Sequence, residues 1–507
     1  MSNSKTIAKN TIFLYIRMFL IMGITLYTSR IVLKELGISD FGIYSLVGGI
    51  VAMLGVLNSA MANATQRYLS FDIGKGDLIQ LKKTFSATLS IHIGIALFVF
   101  LLTETVGLWY INNMMVFPIE KTVSVNVVYQ FSILTLLLTI IQVPYNALIL
   151  AHEKMQIYAY VSVLEVVLKL LIVFILGAFN FDKLIIYAFL TFIVALIIRI
   201  VYQWYCRRNF VESKFEFYWD RGFFKEVLSY SGWNLFGNIA VVCRNQGGNM
   251  LLNLFFGTLV NAAYGITNQV QAAVSLFVTN FQTALNPQII KNFAIQEMEK
   301  MYDLICRGSK LSFFMVIILF FPLYYNIEFV LNLWLNTPPE KASVFIKLSL
   351  IVVLIDCLSG PLMVSAQATG KIKYYQIVVG TIVFLNLPFS YIGLRLFNAK
   401  PEFVFIISIF LSFLAFIFRL MFLQKMIGFP LKRYFKTVVL RVVLVLIICT
   451  ILFSFINPFI SSFNNLNKFF ISCSLLTSIS LILIIILGLD KSEKHLIKKL
   501  VLNKLRK

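Results

Sequence analysis

Arg244 stands in the run Val241–Asn249, followed by Asn245 and Gln246, then Gly247 and Gly248, inside a long apolar stretch. A guanidinium presents planar donors that fit phosphate or carboxylate oxygens. Carboxamides both donate and accept, which suits hydroxyl partners. Other groups of this kind are scattered among apolar neighbours: the cations Arg17, Arg30 and Lys169, the acids Glu165 and Asp356, and the lone imidazole of His92. Two polar helix stretches add carboxamides at Asn63, Gln66, Asn268 and Gln269.

These groups need explaining because of what surrounds them. The 507-residue chain is 59% hydrophobic and only 13% charged, with mean hydropathy +0.87. Soluble domains carry about 25% charged residues, so lipid is the solvent here. Backbone facing lipid must be helix or closed barrel. The apolar runs are about 20 residues or more, which selects helices over barrel strands of about ten. The six cysteines show neither disulfide nor metal-ligand spacing, and no cofactor motif is present. The net charge of +22 carries no aromatic-basic nucleic-acid module. No segment outside the membrane is long enough to fold as a domain.

About fourteen spans are expected, roughly 11–33, 42–66, 84–107, 124–148, 157–178, 183–205, 232–255, 262–287, 310–330, 343–366, 375–396, 402–424, 437–456 and 468–488. The first follows a short lysine-bearing start and is too long for a signal-peptide core. An even count puts both ends on one side. Loops on that side hold about 28 of the 44 Lys and Arg, against about 7 opposite, so that side is expected to be cytoplasmic. The domain reading is residues 1–206 as a six-helix lobe, 207–231 as a cytoplasmic amphipathic connector, 232–424 as a second six-helix lobe, 425–490 as two extra helices, and 491–507 as a basic amphipathic tail suited to anionic lipid.

The two lobes repeat each other. Gly37 and Tyr44 recur as Gly257 and Tyr264, and Pro144, Ala151, Lys154 and Tyr158 recur as Pro361, Ala368, Lys371 and Tyr375. The offset is about 220 residues and covers six spans, an even number, so the fold class is all-α with two parallel six-helix bundles plus two C-terminal helices. Pro144 and Pro361 are either hinges or static kinks.

An ionisable group at mid-bilayer costs at least about 2.5–3.5 kcal/mol, so each deep one must pair, reach the interface or face a wet cavity. Arg244 either faces a cavity, with its two glycines loosening the helix, or pairs with a carboxylate such as Asp356. Arg17 either faces a cleft or snorkels. Glu165 and Lys169, spaced i and i+4, either neutralise each other or share a ligand. His92 is either packed or a proton relay. Arg30 lies near the outer face; Arg67, Arg199, Arg419 and Arg441 lie close enough to the cytoplasmic face to snorkel.

The first helix with Arg17, the passage SRIVLKELGISDFGIYSL and the second helix ending NSAMANATQRYLS resemble the polysaccharide-biosynthesis flippases. These form the O-antigen (Wzx-type) branch of the multidrug/oligosaccharidyl-lipid/polysaccharide exporter superfamily, which has a MATE-like fold. The resemblance implies a twelve-helix core, a cationic cavity holding Arg17, Arg30, Lys169 and Arg244, and no enzyme chemistry. It further implies transfer of a polyprenyl-pyrophosphate-linked oligosaccharide to the periplasmic leaflet, with other polysaccharide-assembly proteins as partners besides membrane lipid. Asn63, Gln66, Asn245, Gln246, Asn268 and Gln269 would then line the polar path, while Glu165, Asp356 and His92 are candidates for ion coupling. The alternatives are a cation-coupled drug exporter of the same fold and a polytopic polymerase or acyltransferase.

Overall fold

A computed structural model describes residues 10–25, 27–28, 31–32, 35–36, 40, 44, 47, 55–114, 119–176, 182–335, 338–460, 465–490 and 493–494. Helix makes up 91% of it, and no strand occurs among the described residues. In chain order the helices are α1 (Asn10–Thr25), α2 (Gly55–Lys75), α3 (Leu78–Asn113), α4 (Thr122–Ala151), α5 (Met155–Leu176), α6 (Lys183–Asn209), α7 (Arg221–Ala294), α8 (Met298–Leu335), α9 (Ala342–Ala368), α10 (Lys373–Leu396), α11 (Phe403–Ile427), α12 (Leu431–Phe455) and α13 (Leu466–Gly488). Ten of these, α3 to α6 and α8 to α13, are long and apolar enough to cross a membrane. The chain is therefore a multi-pass membrane protein. The remaining three, α1, α2 and α7, include the two that hold Arg17 and Arg244, so much of the polar chemistry sits on helices that fall short by length or composition.

Local sequence sets the helix ends. Asp77 caps α3 by accepting from the Gln80 amide at 2.9 Å, and Asp182 caps α6 through the Leu184 amide at 3.0 Å. Asp220 accepts from the amides of Gly222 (2.8 Å) and Phe223 (3.2 Å). That cap starts α7 at Arg221, so the latter part of the expected 207–231 connector is helix. Only a short stretch, with a 3-10 turn at Val211–Ser213, separates α6 from α7. α7 runs on to Ala294 with one break, at Gly257, whose φ of 76° and ψ of −168° only glycine adopts without strain. α8 begins at Met298, well before the expected start near 310, because its amphipathic first turns contain no breaker.

Two compact units result. One comprises Met1–Ile239, Asn286–Glu297 and Gly370–Lys373; the other comprises Ala240–Leu285, Met298–Thr369 and Tyr374–Lys507. The first unit packs Leu69, Phe85, Tyr145, Leu148 and Ile149 into one core and Val128, Tyr129 and Ile133 into another. Arg67 does not snorkel. It is buried, with its guanidinium 4.5 Å from the Tyr68 ring, 4.9 Å from Phe71 and 5.7 Å from Tyr230. In the second unit Lys310, only 2% exposed at its side chain, binds Asp490 and Glu493, each at 2.8 Å, and Arg441 pairs with Asp490. These contacts tie the end of α13 to α8 and α12.

Positions about 220 apart make matching contacts in the two units. Lys121 lies 3.8 Å from Asp182, at the start of α6; Lys341 lies 3.0 Å from Glu402, at the start of α11. The rings of Tyr44 and Tyr187 are 4.7 Å apart, and those of Tyr264 and Phe405 are 5.7 Å apart. Pro144 lies within α4 and Pro361 within α9.

Candidate functional site

Each unit contains a polar cavity of its own. In the second unit the first arm of α7 carries Arg244, and packing brings it to α9 and α11. One terminal nitrogen donates to the Ser412 hydroxyl at 3.2 Å and the other to Asp356 Oδ2, also at 3.2 Å. Its side chain is 14% exposed and that of Asp356 is 33% exposed. The expected loosening of the helix at Gly247 and Gly248 does not occur. Both are helical, and their role is close approach: a Cβ on Gly247 would collide with the Leu387 side chain, and one on Gly248 would lie 3.0 Å from the Tyr264 hydroxyl. Tyr264 in turn donates to the Asn245 carbonyl at 2.8 Å, which seats the arm bearing Arg244.

The cavity these helices enclose is about 460 Å³ and is lined by Arg244, Asn245, Gln246 and Asp356 together with Asn268, Gln271, Ser275, Thr279 and Gln282 from the second arm of α7. The last five follow one another at spacings of three and four, which is one helix face. Gln282 is held by donating to Ser312 Oγ at 3.0 Å and the Cys357 carbonyl at 2.9 Å. One cation and one carboxylate, bonded to each other, leave this cavity neutral.

The first unit's cavity is about 360 Å³, between α1, α5 and the start of α6, with Arg17, Thr28, Ser162, Glu165, Lys169 and Tyr187 on its walls. Lys169 Nζ is 2.6 Å from Glu165 Oε1, one helical turn apart. Arg17 has its guanidinium 4.5 Å from the Tyr158 ring and donates to the Tyr158 hydroxyl at 3.5 Å. Its Nε is buried without a partner, and no carboxylate pairs with it among the described residues. Among the described residues, two cations and one acid leave this cavity with one net positive charge.

The structure thus gathers Arg17, Glu165 and Lys169 in one place and Arg244, Asp356, Asn245, Gln246 and Asn268 in another. Arg30 lies outside the described residues. Asn63 and Gln269 are exposed, Gln66 is half-buried, and none of the three lines either cavity. His92 is wholly buried on α3 with Nδ1 at 2.8 Å from the Thr88 carbonyl, and it too lines neither. Ser412, Ser275, Thr279 and Ser162 are additions. The regular spacing on α7 signals Ser275 and Thr279, whereas Ser412 is reached only through the fold.

Solved structures share the fold. A multidrug resistance MATE family transporter of the MOP superfamily in its outward-facing conformation superposes with a TM-score of 0.72 at 12% identity, covering 84% of this chain and 97% of that one. A MATE in complex with MaD3S gives 0.71 at 13% identity, covering 83% and 95%. The MATE transporter ClbM in complex with Rb+ gives 0.67 at 15% identity, covering 82% and 94%. No curated protein matches the chain closely enough to count as a relative. The family model for polysaccharide biosynthesis proteins matches residues 7–293, more than half of the chain, from α1 to the last turn of α7. On that match, carried on a MATE-like fold, this chain belongs to the polysaccharide biosynthesis protein family.

Proposed function

We propose that the chain is a flippase, a transporter and not an enzyme, that moves a polyprenyl-pyrophosphate-linked oligosaccharide from the cytoplasmic to the periplasmic leaflet of a bacterial inner membrane. The observation that carries this reading is Arg17, a cation with no acidic partner among the described residues, on the wall of a cavity within the segment matched to the polysaccharide family. A pyrophosphate brings about two negative charges, and desolvating it without a cation is prohibitive. The head group crosses in protein while the prenyl chain stays in lipid.

The fuller topology belongs to this reading. Fourteen spans arise if α1, α2 and the two arms of α7 join the ten apolar helices, with both termini cytoplasmic. The arms of α7 carry most of the polar residues of the second cavity and α1 carries Arg17 of the first, which accounts for the low hydropathy of α7 and suits helices facing water. Two parallel six-helix lobes, with α12 and α13 appended, are supported by the matching pairs Lys121–Asp182 and Lys341–Glu402 and by the matching ring contacts. The lobes then alternate access to the two leaflets, and other polysaccharide-assembly proteins supply and remove the cargo.

The fold also suits a cation-coupled drug exporter. A cation site needs an available acid, and Glu165 and Asp356 are each held by a cation of the chain itself. One experiment separates the two readings. Cells lacking this chain should lose surface polysaccharide; Arg17→Ala, at normal protein level, should fail to restore it and leave dye efflux unchanged. Loss of dye efflux with intact polysaccharide would replace the flippase by the exporter.

A further inference from the structure

We infer that the cavity of the second unit reads the saccharide: it takes a neutral, hydroxyl-rich ligand and not the anion. The inference deepens the flippase reading and rests on it. Both terminal nitrogens of Arg244 are already engaged, by Asp356 and Ser412. An anion entering here would have to displace Asp356 from its partner, whereas a sugar hydroxyl displaces nothing.

Apart from the Arg244–Asp356 pair itself, the groups that remain available are uncharged. Among the described residues the side chains of Gln246, Gln271 and Ser275 make no hydrogen bond, and all three line the cavity. Two carboxamides and a hydroxyl supply donors and acceptors together, as adjacent sugar hydroxyls require. Ala272, Val278 and Val353 give the same cavity an apolar wall for the C–H face of a sugar ring. Its volume of about 460 Å³ falls in the ~300–1,000 Å³ range of small-molecule sites, enough for a short saccharide. The first unit's cavity offers the opposite set: one net positive charge, and hydroxyls at Thr28 and Ser162 already donating to the carbonyls of Ile24 and Tyr158, at 2.9 and 2.8 Å.

The test measures equilibrium binding to the purified full-length protein in lipid nanodiscs. The two probes are sugarless polyprenyl diphosphate and the diphosphate-linked saccharide lipid extracted from source cells lacking this chain. Wild type should bind the saccharide lipid more tightly. The double variant Gln246→Ala/Gln271→Ala should lose about tenfold or more for the saccharide lipid and stay within about twofold for the sugarless one, which also certifies its fold. An unchanged preference in the variant, or equal loosening of both lipids, overturns the inference. So does equal binding of both lipids by wild type, which leaves the flippase reading standing. Wild type that binds neither lipid defeats the flippase reading itself.

Discussion

The two cavities are built from the same parts and balanced differently. Each has an arginine entering from a helix that is shorter or more polar than the ten apolar ones, and a carboxylate nearby. In the second unit the carboxylate reaches the arginine: Asp356 is 3.2 Å from Arg244. In the first unit Glu165 goes to Lys169 at 2.6 Å and Arg17 is left over an aromatic ring, 4.5 Å from Tyr158. Where the acid goes decides whether a cavity presents charge or only hydrogen-bonding groups. A ring face neutralises a cation far less than a carboxylate does, so Arg17 stays available to an anion.

The largest effect is expected at Arg17. Arg17→Ala removes the uncompensated charge and should abolish surface polysaccharide, a loss of about 100-fold or more in flipping, whereas Arg17→Lys keeps the charge and should retain a fraction. Lysine lacks the planar fork, so a full rescue would mean that charge alone suffices. Lipid-linked saccharide accumulating on the cytoplasmic leaflet is the measurement.

Arg244 should behave differently. Arg244→Ala leaves Asp356 without its cation, and removing one partner of a fully buried pair costs about 3–5 kcal/mol. Asp356 is a third exposed, so about 1–3 kcal/mol is expected here, read as a fall in Tm. The double variant Arg244→Ala/Asp356→Asn should recover most of that stability. Asp356→Asn alone frees the guanidinium and should tighten binding of sugarless polyprenyl diphosphate severalfold, turning the neutral cavity into a cationic one. If it does not, the acid is not what keeps the anion out.

How much of this stood in the sequence differs between the cavities as well. The membrane class and the helical fold followed from the low charge content and the length of the apolar runs, and Arg17 and Arg244 stood out as single ionisable residues within them, because lipid makes each one expensive. That Glu165 and Lys169 could pair was readable, since both lie on one helix face, although a shared ligand was the open alternative. The bond from Arg244 to Asp356 was one of two open alternatives, because 112 residues separate the partners and only packing chooses between them. Arg67 misled for a related reason: its nearness to a helix end suggested escape to water, while Tyr230, far along the chain, completes an aromatic cage around it. Lys310 lay at a presumed span edge and proved to be buried, since its two carboxylates come from beyond α13.

A smaller effect sharpens the contrast between paired and unpaired charge. Lys169→Met leaves Glu165 without its partner in a cavity that still holds Arg17. Both side chains of the pair are more than a third exposed, so the stability change should stay within about 1 kcal/mol. The functional consequence should be larger. Glu165 becomes free to compensate Arg17, the net charge falls from +1 to zero, and affinity for sugarless polyprenyl diphosphate should drop several-fold. Glu165→Gln should raise it. Equal behaviour of the two variants would show that net charge in this cavity is not what the diphosphate senses.

The smallest effect concerns charge pairs away from both cavities. Asp182, before α6, and Asp490, after α13, both sit below the ordinary carboxylate value of about 3.9. Burial pushes each up, but other contacts more than offset it: for Asp182 the Ser124 hydroxyl, the Leu184 amide and Lys121; for Asp490 the hydrogen bond and charge of Lys310, then Arg441. A carboxylate with a depressed folded value contributes stability that is fully present above its unfolded pKa and is lost as pH falls through the folded one. Tm should therefore be flat in this respect above about pH 4 and decline below it. Asp490 is about a third exposed, so screening keeps its share to about 1 kcal/mol or less. Asp490→Asn should flatten part of the decline while lowering Tm at neutral pH, because Lys310 keeps only Glu493. A variant with lower Tm and an unaltered acid slope would show that Asp490 holds Lys310 by shape and hydrogen bonding and not by its charge.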